Sequence, residues 1–296
     1  MKTYADCIPC FFKQAQEASR HAGLGEEKKN RVFRELARAL EEFDNSTPPP
    51  VMGKRIHEMV KRISGKKDPY RDVKRRSNES VLEILPHLQK KVARSRDRLA
   101  LATELAIAGN IIDYGAQISV ELEKDVRDIL ERERGLTAGE GTRLFHIKRF
   151  LDGLSRARNI LYLADNAGEI VFDRILIDEI LRHDGDKEIT LAVRERPIIN
   201  DVVKADVRQA GLDPRVRVIS SGSDAPGTAL ALCNARFMEL FNSADMVISK
   251  GQGNFECLSD VSREVFFLFM TKCMVVARHM KCPKGEIVLI RKGTTR

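Results

Sequence analysis

The sequence predicts an α/β fold: a Rossmann-like, three-layer α/β/α domain with a mostly parallel sheet, preceded by an all-helical domain. Three observations predict it. Through the first 155 positions, apolar residues recur at spacings of three and four, the period of one helix face. Beyond that point short apolar β-type runs alternate with helical patterns, which implies parallel strands covered on both faces. Acidic, amide and glycine-rich runs follow several of those strands, at the end where open parallel sheets bind ligands.

The helical part is read as residues 1–155, with helices over Phe11–His21, Glu26–Phe43, Met52–Ser64, Ser80–Leu88 and Arg94–Ile107. Pro48-Pro49-Pro50 separates the second from the third, and Asp68-Pro69-Tyr70 makes another break. A further helix is expected over Glu121–Arg134, ended by Gly135 and followed by a turn at 138–141. The α/β part is read as residues 156–296. Strands are expected at Asn159–Ala164, Glu188–Val193, Val216–Ser220, Met246–Ser249 and Glu286–Arg291, and helices at Ile170–His183, Asp201–Ala210 and Thr228–Asn242. Val265–Met270 fits a buried strand or a helix, because a short apolar run does not separate the two.

Composition bounds the function. At 296 residues and 43% hydrophobic, the chain has enough apolar material for a real core, and its length suits two domains of roughly 150 residues. No segment approaches the roughly 20 uninterrupted apolar residues of a membrane span, and Asp6 interrupts the place of a signal peptide's apolar run. A cytoplasmic location is expected. The net charge is +8, yet the basic residues are dispersed, aromatics are few, and no nucleic-acid recognition motif appears. The excess charge suits attraction of small anionic substrates. Six cysteines in a cytosolic chain of this size require no disulfide framework. Oligomeric state leaves no signature in the sequence.

The chemistry concentrates in a few runs. Asp165-Asn166-Ala167-Gly168-Glu169 follows the first strand; Asp and Asn serve there as helix caps, but Asn166, Glu169 and Asp173 also share one helix face, more polar groups than capping needs. Oxygen-only ligands suit Mg²⁺ or Mn²⁺, with Co²⁺ and Ni²⁺ accepting the same set. Asn200-Asp201 follows the second strand, and a carboxylate there would lie beside Asp165 and complete a site that Mg²⁺ could occupy while keeping several waters. Ser221, Gly222, Ser223 and Asp224 form a small-residue loop that would allow close approach of a ligand. In Lys250-Gly251-Gln252-Gly253-Asn254, a lysine ending a buried strand serves as a point charge for phosphate, and the glycines let backbone amides form an anion nest. Asn110 and Asp113 are polar insertions in an apolar stretch, either helix-end groups or substrate contacts reaching in from the helical part. Cys7 and Cys10 make a single CxxC, which Cys273 could extend to a second site. His57, His146 and His279 lack ligand-like spacing and read as structural.

Together these runs resemble the family first catalogued as domain of unknown function 89, the damage-control phosphatases, and within it the prokaryotic branch that carries a CxxC. The resemblance rests on Asp6-Cys7-Ile8-Pro9-Cys10, Ala108-Gly109-Asn110-Ile111-Ile112-Asp113, Asp165-Asn166-Ala167-Gly168-Glu169, Pro197-Ile198-Ile199-Asn200-Asp201, Gly222-Ser223-Asp224-Ala225-Pro226-Gly227 and Lys250-Gly251-Gln252-Gly253-Asn254, in that order over most of the chain. It implies a helical domain packed on a Rossmann-like domain, a divalent metal at Asp165, Asn166 and Asp201, and hydrolysis of phosphate esters of side-product or damaged metabolites. It also makes Lys250 a phosphate contact. One departure is Lys272-Cys273-Met274, where Lys-Cys-Pro is expected. In the expected reaction Asp165, Glu169, Asp201 and Lys250 are catalytic, with Glu169 or Asp201 orienting or deprotonating a water. The rival classes are a carboxyl methyltransferase using S-adenosylmethionine, for which no glycine-rich loop follows the first strand, a non-catalytic phosphometabolite-binding protein, and a redox role for Cys7 and Cys10.

Overall fold

The computed structural model describes residues 1–111 and 144–293. The helix expected at Glu121–Arg134, the turn at 138–141 and the candidate Asp113 lie outside the described residues. The chain opens with helices α1 (Ile8–His21), α2 (Glu26–Glu41), α3 (Pro49–Ser64), α4 (Arg71–Ala93) and α5 (Arg98–Ile111). Helix α6 (Ile147–Arg156) leads into strand β1 (Asn159–Leu163), followed by α7 (Glu169–His183), β2 (Glu188–Val193), α8 (Lys204–Ala210) and β3 (Arg217–Ser220). Then come α9 (Ala235–Ser243), β4 (Met246–Lys250), α10 (Gln252–Leu258), β5 (Val265–Met270), α11 (Met274–Met280) and β6 (Ile287–Lys292).

The strands form one sheet in the order β3-β2-β1-β4-β5-β6. The first five pair in parallel, and β6 runs antiparallel to β5. The ambiguous run Val265–Met270 is thus a strand, and both its neighbours bury it. Side chains alternate between two cores. Ile160 and Tyr162 of β1 join one cluster, with α4, α5, α6 and α7; Leu161 and Leu163 join the other, with α9, α10 and α11. A strand buried on both faces reads as a continuous apolar run, which is why the alternation was invisible in the sequence.

The first 155 residues divide by packing. Residues 7–70 hold a core of their own, around Phe11, Val32, Leu36, Met52 and Ile56. Helices α4 and α5 instead bury Val81, Leu85, Leu105 and Ile107 in the core that covers the sheet. Two helical patterns end differently from expectation. Asp201 is drawn into a bridge with Asn166, so the helix begins only at Lys204. Pro226-Gly227 holds an open loop, and the next long helix waits for Asn234, whose side chain caps it by accepting from Phe237 N–H at 2.8 Å.

Candidate active site

The strand order reverses between β1 and β4, which makes the crevice beyond their carboxyl ends the topological switch point. Register sets what meets there. Leu163 lies level with Ala192 of β2 and Ser249 of β4, so two residues further on Asp165, Arg194 and Gly251 converge. Gly251 has φ +82°, and a Cβ there would lie 1.9 Å from Asp165 Oδ2. Only glycine leaves room for that carboxylate. Asp201 arrives from the next loop: Val202 N–H donates to Asp165 O at 2.9 Å, and Ala167 N–H to Asn200 O at 2.9 Å. The loop after β2 is thereby stitched onto the loop after β1.

Around Asp165 the polar groups form one network. Asn166 Nδ2 donates to Asp165 Oδ2 at 2.6 Å. Asn110, buried on α5, donates from Nδ2 to both Asp165 Oδ2 at 3.2 Å and Glu169 Oε2 at 2.9 Å. It reaches the crevice from the helical part, one of the two readings its sequence allowed. Burial raises the Asp165 pKa well above the usual carboxylate value, the charges of Glu169 and Asp201 add to the rise, and Arg194 and Lys272 oppose it. Burial also raises Asp201, against the pull of Arg194.

Two cations sit in this network, Lys250 in a part different from the one expected and Arg194 in one the sequence did not suggest. Lys250 is fully buried (0% exposed). Its ammonium donates to Ala106 O at 2.7 Å, Glu169 Oε1 at 2.6 Å and Asp173 Oδ1 at 2.6 Å. Those acceptors take up all three of its protons, and Lys250 does not line the open cavity. Its expected phosphate contact is replaced by the ordering of two buried carboxylates on α7. Burial pulls its pKa down, but Asp173 and Glu169 outweigh that and leave it above the ordinary lysine value. Asp173, in turn, is pushed up to about 6 by burial despite Lys250. Arg194, 2% exposed, donates to Asp201 Oδ2 at 2.7 Å, Thr228 Oγ1 at 3.0 Å and Asn254 Oδ1 at 3.0 Å. Sequence reasoning assigned it no role. Its signal was the one used for Lys250, a cation closing a buried apolar strand.

An open cavity of about 710 Å³ lies against these groups. It is lined by Asp165, Asn166, Asn200 and Asp201, by Gln252, Gly253 and Glu256, by Lys272, Cys273 and Arg278, and by Cys7, just before α1, and Cys10 within it. Glu256 is raised to about 7 by burial, against the hydrogen bond from Gln252. Ser221, Gly222, Ser223 and Asp224 do not line this cavity. The serine hydroxyls accept from backbone amides of their own loop, at 3.2–3.3 Å, and Asp224 pairs with Lys54 of α3 at 2.9 Å. That loop docks the helical part rather than reaching for a ligand. Asn254 is buried as well, donating to Ala164 O and Lys250 O.

The donor set fits a hard divalent cation. Two buried carboxylates and an amide face open space, and burial makes their charges costly without a counter-ion. Among the described residues no three of His, Cys, Asp or Glu are grouped so as to hold a metal ion. A cation here would complete its shell with Asn166 and water. Cys7, Cys10 and Cys273 all line the cavity, and the charges of Cys273 and Cys10 add to the rise that burial gives the Cys7 pKa. Burial separates the pair, with Cys7 buried and Cys10 exposed, and Cys273 Sγ caps α11 by accepting from Val276 N–H at 3.5 Å.

Fold and site together define an α/β protein with a carboxylate-lined cavity at the switch point of a parallel sheet. The chain belongs to the damage-control phosphatase ARMT1-like family, whose model matches residues 3–288. It is 36% identical to "Damage-control phosphatase PH1575" of Pyrococcus horikoshii over 294 residues, 98% of each chain. It is 33% identical to a "Damage-control phosphatase" of Archaeoglobus fulgidus, covering 97% of this chain and 98% of that one. The crystal structure of a DUF89 family protein from Pyrococcus horikoshii superposes with a TM-score of 0.88 at 34% identity, covering 99% of both chains. No helix among the described residues is long and apolar enough to cross a membrane.

Proposed function

We propose that the chain is a metal-dependent phosphatase hydrolysing phosphate monoesters of small metabolites, sugar phosphates or related damaged and side-product phosphometabolites. One observation carries this reading: Asp165 and Asp201, buried carboxylates from different loops, line one cavity with Lys272. Family membership and relatives bearing the phosphatase name support it.

Asp165, Asn166 and Asp201 would hold a divalent cation, Mg²⁺, Mn²⁺, Co²⁺ or Ni²⁺. Once bound, such an ion supplies Lewis-acid polarisation of the phosphoryl group and a more acidic water. The chain's own groups do the rest. Lys272, half-buried on the cavity wall, meets the negative charge of the phosphoryl oxygens, the part sequence reasoning gave to Lys250. Asp201, anchored by Arg194, presents a carboxylate to the cavity and can orient or deprotonate the attacking water. Glu169 and Asp173 hold Lys250 behind α7 and so fix the amino end of that helix beneath Asp165.

The test is Asp165→Ala assayed on an aryl phosphate with each of the four ions and with chelator. The expected outcome is metal-dependent hydrolysis by the wild type, abolished by chelator and reduced at least about 100-fold in the variant. Full metal-dependent activity in the variant would remove the assignment. A trapped labelled phosphoenzyme would make Asp165 a nucleophile instead of a ligand.

A further inference from the structure

We propose that Ile199 is a positioning residue: its side chain, packed on the separate core of residues 7–70, holds the turn that carries Asp201 in a left-handed conformation and so sets where that carboxylate stands. The part of Asp201 as an ion ligand rests on the phosphatase reading above; the strained turn does not. That turn is Ile198–Asp201, closed by Asp201 N–H donating to Ile198 O at 3.0 Å. Ile199 occupies its second position with φ +41°. Turns with a positive φ there are dominated by Gly, Asn and Asp. Isoleucine suits it poorly, because a branched Cβ crowds the backbone in that region. Among the described residues the only other non-glycine at positive φ is Lys281, which does the ordinary work of ending α11. Ile199 ends no helix, so something around it must hold the strain.

The holders come from two sides. Beyond Ile199 the chain is tied to the loop after β1: Asn200 O accepts from Ala167 N–H, and Val202 N–H donates to Asp165 O, each at 2.9 Å. Asp201 Oδ2 accepts from Arg194 Nε at 2.7 Å. Before Ile199, Pro197 O accepts from the Lys61 ammonium of α3. Between these ties the half-buried Ile199 side chain packs against the cluster that contains Phe11, Val32, Met52 and Ile56. The helices of residues 7–70 thus grip the one residue of this turn whose backbone resists its place. A relaxation of φ to the negative side would rotate Asn200 and Asp201 away from their partners on the loop after β1. Substitutions at 199 separate this role from mere filling of space. Alanine keeps the strain and loses the grip. Glycine loses the grip too, but adopts the left-handed conformation without a Cβ penalty. If Ile199 only filled space, alanine, which keeps a methyl group, would do better than glycine.

The experiment titrates Mn²⁺ by calorimetry into the wild type and into Ile199→Val, Ile199→Gly and Ile199→Ala. Denaturant midpoints of the metal-free proteins are measured on the same preparations. Ile199→Val, which keeps a branched side chain against the helical core, should bind Mn²⁺ within about twofold of the wild type. Ile199→Gly should lose about threefold, and Ile199→Ala about tenfold or more, the cost of a left-handed residue that nothing grips. The metal-free midpoint of Ile199→Gly should lie above that of Ile199→Ala. Wild-type affinity in Ile199→Ala would overturn the proposal, since the hydrogen bonds alone would then hold the turn. Affinity or stability of Ile199→Gly no better than that of Ile199→Ala would overturn it as well, by showing that the side chain only fills space. A wild type that binds no Mn²⁺ would remove the metal-dependent reading; the order of the two midpoints would then decide the strained turn by itself.

Discussion

Gly251 shows how little freedom the site leaves a single residue. Its left-handed backbone and the 1.9 Å approach of Asp165 to any added Cβ mean that even alanine must displace the carboxylate. Gly251→Ala should lose metal-dependent phosphatase activity by about 100-fold or more, because an ångström of misplacement is felt fully in a positioned site. Its folded spectrum should persist with a stability loss of about 1–3 kcal/mol; activity and denaturant midpoint measured on one preparation check both halves. The sequence flagged this glycine for an anion nest, and the structure uses it to seat an acid. The two buried strand-end cations teach the same lesson. Lys250 and Arg194 looked alike in sequence, each closing an apolar run, yet each turned out to neutralise carboxylates of its own fold. A sequence shows that a buried charge needs a partner but not whether that partner is a ligand or a neighbouring side chain.

Helix α4 carries a supporting role that its pattern never suggested. Asn78 sits buried in it, accepts from Gly168 N–H at 2.6 Å through Oδ1, and donates to Gln209 of α8 at 2.9 Å. Lys74, one turn earlier, pairs with Asp68 at 3.1 Å and Asp206 at 3.3 Å. Together they pin the turn between β1 and α7, which carries Asp165 and Asn166, to the helical layer. Asn78→Ala leaves the Gly168 amide buried without an acceptor, at a cost of roughly 1–3 kcal/mol. On the proposed metal-binding role of Asp165 and Asn166, it should also weaken divalent-ion binding, because the turn that carries them loosens. Calorimetric titration with Mn²⁺ alongside thermal unfolding checks the pairing; unchanged ion affinity would reduce Asn78 to a packing residue. The elements themselves were largely legible. Strands β1, β2 and β4 and helices α1, α3 and α7 lie within a few residues of their sequence-read bounds. Helix α4 runs from Arg71 to Ala93, longer than its apolar spacing showed, because Pro86 and its many charges masked the period.

At the scale of the whole molecule, two cores serve different ends. The core around the sheet fixes the site, while residues 7–70 make a separate cluster that closes one side of the cavity through α1 and α3. His57 of α3 is buried in that region beside Tyr70, with ring centroids 5.7 Å apart. Burial, helped by the charges of Lys61 and His21, lowers its pKa to about 3. The folded value lies below the unfolded value of 6.5, so the unfolded chain binds the extra proton between them. The stability His57 contributes is whole above pH 6.5 and is lost as pH falls toward 3, on the order of 5 kcal/mol across the window. Denaturant midpoints at pH 7, 5 and 4 should fall more steeply in the wild type than in His57→Gln, by close to one proton in the unfolding linkage. Parallel lines would show that His57 titrates normally.

Periodicity and turn residues alone determined the α/β class, the order of most elements and the loops that bear the chemistry, because helix and strand spacings and the needs of strand ends are local properties. Local too were the placing of Asp165, Asn166 and Asp201 in loops that follow strands and the exclusion of a long apolar span. Only the tertiary structure decided that β1 and β4 stand side by side, that Asp165 nests on Gly251, and that the Ser221–Asp224 loop docks α3. It also decided that Lys272, in place of Lys250, lines the cavity. The reason is physical: which charges meet depends on strand order and register, and these are settled by burial of both sheet faces among residues far apart in the chain.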